Sequence, residues 1–486
     1  MDAGRKEGDH EIDNYKKMLG VIRNHKKEGY TAMKISKTLL VVCVVGLLVC
    51  FGSSASAFDL KKASEPYKGV TLHASLMAGY KVNAILPDLA KEFTEITGIK
   101  MEFEAVPYSE TLEKHMIALA TGSTAYDLMN IDNLWFPQYV QYLRPLNDYM
   151  KDPKLGDPDM NVADFVAEVL QGYQWEGKTY SFPEGYFFPI LIYRKDLFEK
   201  AGLKEPPKTY QEYYEYAKKL TDKNAGIFGT VEHGQRTGVF DEVCTPYWGR
   251  GGQLFDKKLK PIFNNKDMID VMTIYQKLYT EGLVPPGATD FELGEAAAFF
   301  MQGKAAMMWN WSMMGSDTED PKLSKVAGKV GYAMFPKDNA NVVHYVREAS
   351  TGLCIPKTAP NKEAAYLFIQ WLTSRPTLFK VEAQYKCGHP ARYSLMSDPA
   401  IKGLFPYFPL LEHAGKVQAV RLVPKIVEWS QVDDTCAVQF QKCMIGQLTP
   451  EKAVAEAAKN VERLLDDKGY YFEGKEYSDL LTGRYN

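Results

Sequence analysis

The chain has 486 residues, 58 Lys and Arg against 61 Asp and Glu, a net charge of −3 and an apolar fraction of 45%. That length makes two or three domain-sized units with room for sizeable cores. The composition is ordinary for a globular protein, and the near-neutral charge excludes the basic face that a nucleic-acid partner needs. Aromatic residues make up 13%, with 30 Tyr and 7 Trp, a supply that suits a sugar site and also fills cores.

Residues 1–32 are polar and charged and precede a complete export signal. They read as a non-native extension from a start assigned too early. Lys27-Glu28-Gly29 is what a ribosome-binding sequence would encode, at the usual distance before Met33. From Met33 to Ala57 the pattern is a signal peptide. Lys34 and Lys37 come first, then an apolar run from Leu39 to Phe51 that is too short to span a bilayer, then the small residues Ala55-Ser56-Ala57 for cleavage. The exported chain is expected to begin near Phe58 and to act in the periplasm. Val49 before Cys50 argues against lipidation. Beyond the signal stand Cys244, Cys354, Cys387, Cys436 and Cys443, an odd number that leaves a free thiol or an intermolecular bond. Cys436 and Cys443 fall on one predicted helix, about 10.5 Å apart, and cannot bridge there. Buried thiols are the expectation for most of the five.

Val70–Ala74 reads as a first strand and Tyr80–Asn83 as a turn. Ile85, Leu89, Phe93 and Ile96 form a helical stripe that Gly98 closes. Lys100–Val106 alternates as a second strand, so the chain opens in the α/β pattern. A helix over Glu113–Thr121 precedes a buried strand over Ala125–Ile131. Open α/β sheets bind ligands at the C-terminal ends of their strands, which makes Trp135 the first binding candidate and Asp132 a weaker one. Tyr173–Tyr180 predicts a hairpin with Gly177-Lys178 at its tip. Tyr186–Tyr193 reads as a buried strand, followed by a helix from Lys195 to Ala201 that stops at Gly202. Pro206 and Pro207 forbid its continuation, and Thr209 with Glu212 has capping-box spacing for the next helix.

The stretch Tyr180–Leu220 resembles the crossover region of the extracellular solute-binding proteins, family 1, the maltose- and glycerol-phosphate-binding type that feed ABC importers. The matching residues are Tyr193-Arg194-Lys195-Asp196-Leu197, then Gly202-Leu203, then Pro207-Lys208-Thr209. Similar matches recur in FTEITGIKMEFE from Phe93, FFMQGKAAMMWNWS from Phe299, STGLCIP from Ser350, NKEAAYLFIQWLT from Asn361 and the Gly388–Arg392 turn. The resemblance implies an α/β, two-lobed periplasmic-binding-protein fold of type II, each lobe a mixed sheet flanked by helices, joined by hinge crossovers. Residues 58–189 and 336–377 would form lobe 1, and 190–335 and 378–486 lobe 2.

By the same analogy Glu184 and Tyr186 stand at the cleft mouth, and Phe240 is a cleft aromatic. Trp309 and Trp311 follow a short strand over Ala305–Met308, both indoles on one face. Arg392 touches the ligand or staples the lobes, and Trp429 closes the site. The implied function is capture of a carbohydrate, whether oligosaccharide, sugar or polyol, for an ABC permease and its ATPase, by a monomer without cofactor or catalytic group. No HExxH, phosphate loop, GxSxG, GxGxxG or CxxC motif is present. Asp222–His233 lacks the last glutamate of a calcium loop. The alternatives are a binder of a glycerophospho compound and an exported glycoside hydrolase, the latter needing a carboxylate pair.

Overall fold

The fold is taken from a computed structural model, which describes residues 58–480 apart from 343–345, 348, 417–419, 422, 473–474 and 479. The expected extension 1–32 and signal 33–57 lie outside the described residues. β1 (Thr71–Met77) and β2 (Lys100–Val106) run parallel, with Thr71 opposite Lys100 and Met77 opposite Val106, and the helix Lys81–Thr97 connects them. The expected turn at Tyr80–Asn83 is the start of that helix. Val82, Leu86, Leu89 and Phe93 are buried and carry the apolar face back to its first turn. Asn83, the last residue of that span, is buried: its Nδ2 donates to Met77 O at 2.8 Å and to Asn130 Oδ1 at 2.9 Å. Gly98 closes the helix at φ 73°, in the left-handed region that glycine favours.

β3 (Leu128–Asp132) pairs parallel with β1 and is buried throughout, whereas β2, at the edge, turns charged residues outward. The hairpin β4 (Gln174–Trp175) and β5 (Lys178–Thr179) forms as expected, one residue out of register. Its tip is Glu176-Gly177, with φ 48° and 73°, the geometry of a two-residue hairpin turn.

β6 (Pro189–Arg194) opens a second sheet with β7 (Phe228–Val231), β8 (Ala305–Trp311) and β9 (Val330–Ala333), in the order β7-β8-β6-β9. β8 and β9 are antiparallel to β6, and β7 is parallel to β8. β8 is longer than expected and buried throughout, so Trp309 and Trp311 lie inside it rather than past its end. After the short β10 (Val346–Arg347), β11 (Thr351–Cys354) returns to the first sheet. It lies antiparallel to β3 with Thr351 opposite Asp132, giving the order β11-β3-β1-β2. β12 (Val420–Arg421) pairs with β10.

The first sheet therefore draws on residues 71–132 and 351–354, the second on 189–333. Two crossovers run side by side between them. Phe187 and Ala349 exchange backbone hydrogen bonds at 3.2 and 2.9 Å, and Glu184 N donates to Thr351 O at 2.9 Å. Tyr186–Phe188, expected to begin the strand, belong to this crossover. The helices Trp429–Met444 and Pro450–Asp467 pack on each other and on the helix Lys266–Thr280. Residues 380–392, grouped by sequence with the second lobe, contact the first half. Lys380 pairs with Glu92, and Val166 N donates to Ala391 O at 2.9 Å. The capping box forms with a shift: Thr209 Oγ1 accepts from Glu212 N, but the Glu212 carboxylate accepts from Lys208 N at 2.7 Å. All five described cysteines are buried, and no disulfide joins any two of them.

Candidate functional site

The C-terminal ends of β1, β3, β7 and β8 converge on one cavity of about 60 Å³, space for several water-sized groups. After β1 come Ala78, Gly79 and Tyr80, and β3 ends in Asp132. His233 follows β7, and Trp311 ends β8. The crossovers contribute Phe187 and Ala349, so both sheets and the hinge between them border the same space. Thr237 and Asp241, one helical turn apart near the start of the helix Arg236–Trp248, face it too, as do Glu292 to Gly294 where the helix Leu293–Met301 begins.

One wall is a relay of rings. Tyr108 lies 6.3 Å from Tyr80, Tyr80 lies 5.9 Å from Phe187, and Phe187 meets Trp311 edge-on at 5.9 Å, centroid to centroid. Such spacings are those of mutually supporting aromatic pairs. The relay passes from the first half through the crossover into the second. The polar lining among the described residues is mostly acidic: Asp132, Asp241 and Glu292, with His233 and Thr237. Asp132 is held from two sides, accepting from Leu134 N at 2.8 Å and from Tyr108 OH at 3.2 Å. Burial brings the His233 imidazole down to about 4, so the ring is neutral near pH 7.

Of the residues expected from sequence, Asp132 and Trp311 border this cavity, and the others do not. Trp135 packs behind Tyr108 at 4.7 Å, and Trp309 lies behind Trp311 at 6.0 Å. Phe240 and Trp429 are buried against each other at 5.8 Å, with Phe255 on the other side of Trp429. Tyr186 is buried against Phe188, its N–H bonded to His389 O. Glu184 is buried in the first half, where one carboxyl oxygen accepts from Asn130 Nδ2 and Thr351 Oγ1, each at 2.9 Å. Arg392 is 1% exposed. Its guanidinium donates to Thr373 O, Asn161 O and Met160 O, pairs with Asp164 at 3.3 Å and lies 3.8 Å over the Phe165 ring. All its donors point into the first half, the geometry of a staple within that half.

Sequence reasoning missed Tyr80, Tyr108, Phe187, His233, Thr237, Asp241 and Glu292. The strand-end rule that singled out Trp135 applies equally to Tyr80 after β1 and His233 after β7. Asp241 and Glu292 carried no such signal, because helix N-termini commonly hold acids for capping.

Two sheets joined by paired crossovers, with a cavity lined from both, define a two-lobed solute-binding protein of the type II periplasmic kind. The chain belongs to the family of bacterial extracellular solute-binding proteins, whose model matches residues 79–377, and serves as the substrate-binding component of an ABC importer. It is similar to an ABC transporter solute-binding protein from Agrobacterium radiobacter solved in complex with ribitol. There the identity is 30% and the TM-score 0.75, over 82% of this chain and 99% of that one. It is 27% identical over 380 residues to the mannitol-binding protein of Pseudomonas aeruginosa, 72% of this chain and 83% of that protein. It is 25% identical over 409 residues to a probable amino-acid ABC transporter periplasmic-binding protein of Sinorhizobium fredii, 83% of this chain and 91% of that one. The family is one of binding proteins rather than enzymes.

Proposed function

We propose that the protein captures a neutral, hydroxyl-rich solute, a polyol or small sugar, in this cavity and hands it to the membrane permease of its importer. One observation carries this reading: among the described residues the cavity joins a relay of aromatic rings to three carboxylates and a neutral imidazole. Rings cover the apolar C–H faces of such a solute, and carboxylates accept from its hydroxyls, often two at once. The ribitol and mannitol relatives point the same way.

The proposed ligand set is Tyr80, Tyr108, Asp132, His233, Asp241, Glu292 and Trp311. Trp135 and Trp309 support it from behind; Glu184, Tyr186, Phe240, Arg392 and Trp429 hold the frame. The lobes are taken as 58–189 with 336–398 and 190–335 with 399–486, moving the end of the first lobe from 377 to take in the Lys380 and Arg392 contacts. The protein acts as a monomer and without turnover, exported to the periplasm by the signal at Met33–Ala57.

A thermal-shift and calorimetric panel tests this: D-mannitol, ribitol, erythritol, maltose, glycerophosphocholine, glycine and putrescine. Saturable 1:1 binding of a polyol or sugar, with the solute recovered unchanged, is expected. Binding only of the phosphodiester, amino acid or amine, or release of a cleaved product, overturns the reading.

A further inference from the structure

We propose that Gly294 is a specificity-determining position of the site: carrying no side chain, it leaves the space into which the far end of the solute extends, and so sets how long a solute is accepted. This rests on the reading that the ligand is a polyol or small sugar.

Gly294 is the second residue of the helix Leu293–Met301 and borders the cavity beside Glu292 and Leu293. Glycine weakens a helix relative to alanine, because it gives up more backbone freedom on folding. Nothing in the fold calls for it here. Its φ is not positive, so the backbone does not require glycine. Outside its own helix and chain neighbours, a Cβ at Gly294 would meet no atom within 4 Å among the described residues. Gly79, the other glycine of the lining, is different, since its φ of 90° accounts for it. Glu292 departs from local preference too. It holds the N-cap, where Ser, Thr, Asp and Asn are favoured, and its side chain makes no capping bond. Two such departures at one helix start, both on the cavity, mark a segment shaped for a ligand rather than for its helix.

Direction and placement make the gap a gauge of length. Side chains on a helix lean toward its N-terminus, and this helix meets the cavity at that end, so a side chain at 294 would enter the space that the solute uses. The helix start is held from two sides. Gln235 N donates to Phe291 O at 3.1 Å. The buried Asn310 donates from Nδ2 to Leu293 O at 3.4 Å, while its Oδ1 accepts from Trp311 N at 2.8 Å. Gly294 therefore keeps a set position relative to Trp311, where the aromatic relay ends. It is exposed, whereas Tyr80, Asp132 and Trp311 are buried, which puts it at the outer edge of the cavity. A short solute gripped by the rings stops before that edge, and a longer one fills it.

The test titrates erythritol, ribitol, D-mannitol and maltose into the purified wild-type protein and the variants Gly294→Ala and Gly294→Leu, recording each unliganded unfolding midpoint. Alanine and leucine are both good helix formers, so the midpoints should be no lower than wild type. The longest probe that the wild type binds should lose about tenfold or more in affinity in Gly294→Leu, with Gly294→Ala in between and any shorter probe affected less. If Gly294→Leu binds the longest probe within twofold of wild type, the assignment to Gly294 falls and the ligand reading stands. An equal loss for long and short probes, or a lowered midpoint in both variants, also ends the assignment, since the glycine then serves something other than length. If the wild type binds none of the four probes, the ligand reading fails and the assignment with it.

Discussion

Lys81 Nζ lies 3.1 Å from Asp317 Oδ1, tying the first turn of a helix on the first sheet to the helix Met314–Thr318 of the second half. Ligand capture between two halves shifts an open–closed population, and any bond made only when the halves meet biases it toward closure. The side chains are 24% and 23% exposed, so water and salt screen the pair and its contribution is at most about 1 kcal/mol. Asp317→Asn should weaken ligand affinity by about two- to fivefold at low salt and raise the ligand-free radius of gyration in small-angle scattering. The deficit should shrink at 1 M salt. Equal affinities at every ionic strength would remove the clasp.

The two tryptophans of β8 should separate cleanly. Trp311 borders the cavity, whereas Trp309 is buried behind it and Trp429 lies in the core beside Phe240. Trp311→Ala should lower affinity by about 1–3 kcal/mol, by analogy with stacking on flat ligands, with a modest loss of stability. Trp309→Ala and Trp429→Ala should cost about 3–5 kcal/mol of folding free energy, as large core truncations do. Chemical denaturation and calorimetry on the three variants would expose a reversed pattern.

Glu184 sets a pH dependence that one variant can isolate. Burial pushes its carboxyl from the ordinary 4.5 up to about 7, against the pull of Thr351 and Asn130. Below pH 4.5 the group is protonated in folded and unfolded chains alike and adds no pH slope. As pH rises from 4.5 to 7 the unfolded chain ionises first, so stability falls, by about 3 kcal/mol in all. Glu184→Gln should match the wild type near pH 4 and exceed it increasingly up to pH 7, with no further divergence above. Parallel stability curves across that range would contradict the assignment.

The thiols offer a simpler check. Cys244, Cys354, Cys387, Cys436 and Cys443 are buried with no disulfide among them, and burial raises the pKa of Cys354, Cys387, Cys436 and Cys443. A thiol reagent at pH 8 should leave these five thiols nearly unlabelled in the native chain from Phe58 onward and modify all five after unfolding. Rapid native labelling, or fewer thiols on unfolding without reductant, would show an exposed or bridged cysteine.

The strand–helix–strand opening, the capped helix after Thr209 and the length of β2 were all legible in the chain, because local spacing and capping chemistry act over a few residues. Where local signals competed the reading slipped: Tyr80–Asn83 read as a turn, yet it starts a helix in which the Asn83 amide bonds Met77 and Asn130 inside the fold. The tryptophans were read as ligand contacts because indoles suit sugars, but an indole fills a core equally well. Only the packing of Trp429 on Phe240 and Phe255 distinguishes the two roles.

Sequence by itself determined the class of protein and its two-lobed α/β architecture through contiguous motifs that resemble a known family, and it singled out Asp132 and Trp311, which border the candidate cavity. Tertiary structure alone decided which polar groups meet. Tyr80, the His233–Asp241 segment and Glu292 are far apart in the chain and share a wall only because paired crossovers bring the ends of β1, β3, β7 and β8 to one place. Side-chain convergence of that kind depends on how the two sheets are docked, and no local pattern of residues encodes it.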